Sequence, residues 1–381
     1  MSLIGLWTGW GEVRVGLDAT PLLGRMTGVG AYTSNLLGAL ADHWPQDELV
    51  ATAFTWRGRG SLGAVVPARV VVRSRPAPAR ALRATWASVG LPPVEALSGW
   101  VDVFHATNFV LPPMRRAAGG GTVHYLSFLR YPETVSAASK AYRELVPLSL
   151  ARAAAVLCPS RAVAEQIQDA YAVPPDRIVV TPLGVDPKWS AALPPTSSWR
   201  AVWGIPRDYL LAVGTLEPRK NLRALVAAYA GLVAARADVP PLVIAGGAGW
   251  GDELDLRAIP QGRVILTGHL ELPDLRSLVA GATLLAFPSI DEGFGLPPLE
   301  ALACGVPVVA NDLPVTREVL GDQADFCDAG DPRALAEALL AALCDPHGSG
   351  DSRRARAAEF TWSRCAEITH AAYLRAVALR G

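Results

Sequence analysis

Several things that this 381-residue sequence lacks narrow its class. It has five cysteines (Cys158, Cys304, Cys327, Cys344 and Cys365), odd in number, scattered, and with no C-x-x-C pair. That usage excludes a disulfide framework and a structural zinc site, and it suits a reducing, cytoplasmic setting. No D-x-D triplet occurs, so the paired carboxylates that often hold a divalent cation against a diphosphate are missing and no metal site is expected. No apolar run approaches the roughly 20 residues needed to span a bilayer. The opening MSLIGLWTGWGEV has neither a basic leader nor a long apolar core, so no signal peptide is expected. Charged residues make up only 18% and the formal net charge is zero, and no nucleic-acid partner is expected. The charge is unevenly spread. Residues 1–190 carry 18 Lys/Arg against 13 Asp/Glu, and the remainder 17 against 22. Much of the basic excess lies at Arg69, Arg73, Arg75, Arg80 and Arg83. Such a stretch is either a solvated face or a surface for an anionic acceptor or lipid headgroups, which would allow peripheral contact with the inner face of a membrane.

What is present is a large apolar fraction, 51%, in a chain too long for one ordinary core. Short Val/Ile/Leu-rich runs alternate with helical patterns. One series comprises Val13–Leu17, Val70–Val72, Val101–His105, Thr122–His124, Ala155–Cys158 and Ile178–Thr181. A second comprises Tyr209–Val213, Leu242–Ala245, Val264–Thr267, Leu284–Phe287 and Val306–Ala310. Uninterrupted apolar strands separated by helices predict parallel sheets covered on both faces. The proline-bearing stretch Asp186–Pro206 reads as a linker with a short helix. The expected organisation is residues 1–190 as an N-terminal Rossmann-like domain on the acceptor side, 191–360 as a second such domain, and 361–381 as a helix crossing back to the first. Ligands of open α/β sheets bind beyond the carboxyl ends of the strands. Two facing sheets therefore direct the site to the cleft between them.

The strongest motif follows the run LLAFP: Ser289-Ile290-Asp291-Glu292-Gly293-Phe294-Gly295-Leu296-Pro297-Pro298-Leu299-Glu300. Gly-Phe-Gly opens a helix that begins near Pro297, where proline's missing N–H costs nothing, and stops at Cys304-Gly305. The helix start offers free N–H groups and a positive dipole end. Glu292 and Glu300 add carboxylates suited to vicinal hydroxyls. The second motif, Gly214-Thr215-Leu216-Glu217-Pro218-Arg219-Lys220-Asn221, also follows a strand. Its adjacent cations suit a diphosphate, and charge building on a departing diphosphate would be stabilised most in the transition state.

EGFGLPPLEALACGVPVV resembles the E-x7-E signature of the retaining glycosyltransferases of family 4 (group 1), which adopt the GT-B fold. The resemblance implies two Rossmann-like domains with parallel sheets facing across a cleft, and hexose transfer from a nucleoside-diphosphate sugar. It implies that Glu300 holds the ribose and Glu292 the donor sugar, that Phe294, Gly295 and Leu296 supply backbone amides, and that Arg219 and Lys220 bind the leaving diphosphate beside Gly214. Thr267-Gly268-His269-Leu270 resembles the nucleobase loop, with Leu270 reading the base through backbone contacts. Gly24-Arg25-Met26-Thr27-Gly28-Val29-Gly30 departs from G-x-G-x-x-G and resembles the family's first loop, which places Gly28 and Gly30 near the diphosphate. HYLSFLRYPE resembles the segment whose histidine, here His124, reaches the donor sugar; this chain has His-Tyr where relatives have His-Asp. No cofactor is implied. GVGAYT and LSFLRYPE lean toward relatives that use GDP-mannose. The acceptor is left open between a glycan, a lipid-linked glycan and a small molecule. A nucleotide-sugar epimerase of the same fold and a non-catalytic sugar-nucleotide-binding protein are the alternatives.

Overall fold

The computed structural model describes residues 12–56 and 58–380; the apolar N-terminal stretch, up to residue 11, lies outside the described residues. Among the described residues thirteen strands form two all-parallel sheets. The first contains β1 (Arg14–Asp18), β2 (Glu48–Thr52), β3 (Val71–Val72), β4 (Val103–Ala106), β5 (Ala118–Thr122), β6 (Ala155–Cys158) and β7 (Ile178–Val180), in the order β3-β2-β1-β4-β5-β6-β7. The second contains β8 (Leu210–Val213), β9 (Leu242–Ala245), β10 (Val264–Gly268), β11 (Leu284–Phe287), β12 (Val308–Asn311) and β13 (Asp325–Cys327), in the order β10-β9-β8-β11-β12-β13. In both, the order turns back beside the first strand, and this opens a crevice at the carboxyl ends. Buried Val, Leu, Ile and Ala fill both faces of the central strands.

The sequence misplaces one strand. Thr122–His124 reads as extended, but the strand is Ala118-Gly-Gly-Gly-Thr122, and His124 lies beyond its end. Glycine is depleted in strands, so AGGGT carries no strand pattern. Its bare backbone has a packing reason. A Cβ on Gly119 would stand 2.7 Å from Met114 Cε and 2.9 Å from Leu111 Cδ2, and one on Gly120 would touch Leu157 and Tyr373. Strands β2 and β13 are further additions to the expected series.

Tyr373 belongs to the last helix, Trp362–Ala378, which packs against the Gly28–His43 helix and β5. The chain crosses between the halves twice at one place. Val185 N–H donates to Phe360 O (3.0 Å), and a Cβ on Gly184 would fall 2.1 Å from Trp362 N. The last helix is pinned by buried polar contacts. Tyr373 Oη meets His105 Nδ1 (2.5 Å), His105 Nε2 meets Thr122 Oγ1 (2.7 Å), and His370 Nε2 meets Asp47 Oδ2 (2.8 Å) with its ring stacked on Trp44. Burial, helped by nearby His124, brings His105 down to about 3, so the ring is neutral.

The basic stretch is not one face. Arg69 donates to the carbonyls of Ala41, Trp44, Pro45 and Asp47 and so closes the end of the Gly28–His43 helix, while Arg83 lies over the Tyr142 ring. Arg73, Arg75 and Arg80 are exposed. Among the described residues no helix is long and apolar enough to cross a membrane.

Tyr373→Phe strips His105 Nδ1 of its buried partner. It should cost about 1–3 kcal/mol of unfolding free energy, read from urea titration; an unchanged midpoint would show that the contact contributes nothing.

Candidate active site

The crevices of the two sheets face each other, and the segments leaving β8 and β11 meet there. After β8 the chain makes a short 3-10 turn, Pro218–Lys220, and Asn221 (φ 54) turns it into the Leu222–Ala235 helix. This turn aims two cations at the loop after β11. Lys220 Nζ donates to Glu292 Oε1 (2.6 Å), and Arg219 Nη1 pairs with Glu292 Oε2 (2.9 Å). Arg219 Nη1 also donates to Asp291 O (2.7 Å), and its Nη2 pairs with Glu217 Oε1 (2.6 Å). The structure thus brings buried Arg219 and Glu292 and half-buried Lys220 into one cluster, with Gly214 beneath the Lys220 stem. Each of the two cations already has an anionic partner, which the motif's spacing does not show. Burial raises the Glu292 carboxyl, but Arg219 and then Lys220 outweigh it and hold the group down at about 2.

The glycines of the motif serve different ends. Gly295 (φ +96) caps the Leu296–Ala303 helix in the left-handed region, where a side chain is strained. Gly293 is required by the opposite domain: a Cβ there would lie 1.6 Å from His124 O. Gly30 is held bare by Pro21 O and Met26 Sδ, whereas Gly28 opens its helix with nothing within 4 Å of a Cβ. Phe294 turns its ring into the core, edge-on to Phe360, which leaves its backbone to the loop. Leu296 is half-buried at the helix start, and Leu270 is buried beyond β10.

His124 lies in the N-terminal wall of the cleft. Its Nε2 donates to Thr107 O (2.7 Å), and burial lowers its pKa to about 4, so the ring is neutral. Tyr125 lies with the Arg219 guanidinium over its ring at 5.1 Å. Glu300 is separate from the cation cluster. It sits on the Leu296–Ala303 helix near Arg276 and Asp186, which pair with each other (3.0 Å). A concavity of about 500 Å³ at the amino-end edge of the second sheet, lined by residues including Pro206, Arg236 and Cys344, holds none of these side chains.

The motifs conceal several participants. Asp291 accepts from Ser127 Oγ (2.6 Å) and Arg130 Nη1 (2.8 Å) of the opposite domain. Arg25 brings Nη1 to 3.8 Å from the Cβ position of Gly247, across the cleft. Asp291, Ser127, Arg130 and Arg25 all lie inside the motif strings, where nothing in the sequence marks them off from their neighbours. Among the described residues no group of three His, Cys, Asp or Glu side chains is arranged for a metal ion.

Burial pushes Glu300 up to about 8, with Arg276 opposing and Asp186 adding to the rise. A carboxyl raised on folding contributes stability below its unfolded pKa of 4.5 and loses it as pH climbs toward about 8. Glu300→Gln should therefore raise the melting temperature relative to wild type at pH 9 but not at pH 4. Calorimetry at the two pH values checks this, and parallel behaviour would exclude a protonated Glu300.

Comparison with known proteins agrees with this architecture. Residues 26–189 match the model of Glycosyltransferase Family 4, and residues 196–361 match that of Glycosyl transferases group 1. The O-antigen chain mannosyltransferase B of Escherichia coli is 34% identical over 73% of this chain and 76% of its own length. The serotype-specific mannosyltransferase WbdA of Escherichia coli is 27% identical over 59% of this chain but only 29% of its own length. Among solved structures, sucrose-phosphate synthase of Thermosynechococcus elongatus superposes with a TM-score of 0.71 at 20% identity, over 97% of this chain and 100% of that one. Anabaena HepE in complex with UDP and glucose gives 0.63 at 17% identity, over 97% of each chain. The chain is a GT-B glycosyltransferase and belongs to family 4 (group 1).

Proposed function

We propose that this enzyme transfers a hexose, with mannose from GDP-mannose favoured, from a nucleoside-diphosphate sugar to a hydroxyl of a glycan acceptor, with retention and without a metal ion. The observation that carries the reading is the convergence of Arg219 and Lys220 on Glu292 beside the Gly295-capped helix start. The mannose preference is supported by two relatives whose names specify mannosyl transfer, and a glycan acceptor by the one whose name gives the O-antigen chain. Peripheral membrane contact through Arg73, Arg75 and Arg80 belongs to the same reading; no binding of the wild-type protein to anionic liposomes is the result that would remove it.

In the resting cluster the charges of Arg219, Lys220, Glu217 and Glu292 sum to zero. Donor binding on this reading is an exchange of partners. The diphosphate takes Lys220 from Glu292, and the freed Glu292 carboxylate accepts a sugar hydroxyl. The charge that builds on the leaving oxygen meets Lys220 and Arg219, cations fixed in place beforehand. Arg25, above Gly247, adds a third cation from the opposite wall. Glu292 is a poor nucleophile on this reading, because Arg219 still holds one oxygen after Lys220 has left and the other is engaged by the sugar hydroxyl. This favours same-face attack in which the departing phosphate oxygen takes the acceptor's proton, over the carboxylate-nucleophile route of retaining glycosidases. Glu300 and the loop around Leu270 are assigned to the ribose and base, His124 to the sugar, and Gly28 and Gly30 to the diphosphate side.

Lys220→Ala should raise the barrier by about 2–4 kcal/mol, the effect of a lost oxyanion donor. Turnover of GDP-mannose equal to wild type would remove Lys220 from the mechanism. Activity should persist in excess EDTA; complete loss reversed by a divalent ion would overturn the metal-free assignment. Release of an altered nucleotide sugar without any acceptor would instead identify an epimerase.

A further inference from the structure

The loop Asp291–Gly293 is held from both sides of the cleft, and the two grips fall on successive residues. On its own side, Asp291 O and the Glu292 carboxylate receive Arg219 and Lys220. From the opposite side, the Asp291 carboxylate receives Ser127 Oγ at 2.6 Å and Arg130 Nη1 at 2.8 Å. Ser127 and Arg130 lie three residues apart on one short helix, so both reach the same carboxylate. His124 O packs on the Gly293 Cα, and Ser160 Oγ donates to Gly293 O at 2.9 Å. Tyr125 covers the Arg219 guanidinium.

Asp291 is only 3% exposed, and both side-chain partners come from the N-terminal domain. A carboxylate so buried is tolerable only while those donors are present. Separation of the domains would remove both donors together with the His124 and Ser160 contacts. Glu292 would then be aimed by Arg219 and Lys220 alone, the cations that an arriving diphosphate recruits.

We propose that Asp291 is a positioning residue that makes the aim of Glu292 depend on cleft closure, through its hydrogen bonds to Ser127 and Arg130. The inference rests on the nucleotide-sugar reading above. Its consequence is selectivity between acceptor hydroxyl and water. With the latch made, the sugar site is assembled only when the cleft is shut and water is excluded. With the latch cut, the donor still binds its cations, but transfer slows and adventitious hydrolysis gains on it.

The test compares wild type, Asp291→Asn and the double variant Ser127→Ala/Arg130→Gln, which cuts the same contacts from the other domain. Three quantities are measured: GDP affinity by calorimetry, GDP-mannose hydrolysis without acceptor, and transfer to a mannose-terminated oligosaccharide. The expected result is a kcat for transfer at least tenfold lower in both variants. GDP affinity should stay within twofold of wild type, and the hydrolysis-to-transfer ratio should rise at least threefold. A ratio equal to wild type at unchanged GDP affinity overturns the latch. So does a parallel fall of GDP affinity and both rates, which marks a merely structural role. Failure of the wild-type protein to bind GDP or any other nucleoside diphosphate overturns the donor reading instead, so the two failures are distinct.

Discussion

The ion-pair cluster of Glu292 with Arg219 and Lys220 is the constraint on which the rest of the cleft depends. Arg219 and Glu292 are buried and Lys220 is half-buried, and neither buried charge would be tolerable there alone. Together with Glu217 they are neutral, and the geometry that makes them neutral also organises the site. Arg219 spends one nitrogen on Glu217 and another on both Asp291 O and Glu292, which ties the loop after β8 to the loop after β11. Lys220 lies along Gly214, where a Cβ would crowd its stem at 3.2–3.5 Å, and its ammonium is 5.3 Å from the Phe287 ring. A cation held in this way needs little reorganisation when an anion replaces its partner, and that is the property required of a group that stabilises developing charge.

The cluster is also where the two domains touch. The segment from His124 to Arg130 lies against Arg219, Asp291 and Gly293, while Trp250 Nε1 reaches back to Thr134 O at 2.9 Å. Farther out, Glu318 of the second domain accepts from the first backbone amides of the Arg161–Tyr171 helix, at 2.9 and 3.1 Å, and completes that helix start from outside its own domain. These contacts are polar and directional. They fix an orientation between the domains through contacts that lie on either side of the cleft.

Glycine shows how one residue type serves unrelated constraints in this fold. Gly295 is set by backbone conformation, and Gly293 by a carbonyl of the facing domain. Gly246 and Gly249 are set by the carbonyls of Gly214 and Leu216, which would stand 1.8 and 2.3 Å from a Cβ. Gly119 and Gly120 let a loop and the last helix approach β5. Nothing in the sequence separates the six. Only the neighbours distinguish them.

Much was legible beforehand because it is local. Apolar runs such as LLAF and LVIA have a single comfortable state, the interior of a parallel sheet, and the Gly-Phe-Gly-Leu-Pro-Pro string specifies a capped helix start by backbone chemistry alone. AGGGT was not legible, since its strand is made by neighbouring strands and by the helix that packs on its missing side chains. Nor could spacing reveal that Arg219 and Lys220 already hold acids, that Asp291 faces the opposite domain, or that Arg69 closes a helix rather than joining a basic face. The sequence by itself determined the two sheets and the residues able to meet a sugar diphosphate, because propensity, periodicity and capping act over a few residues. Tertiary structure decided which of those charges are paired and by whom, because pairing depends on distances between segments 72 to 164 residues apart along the chain.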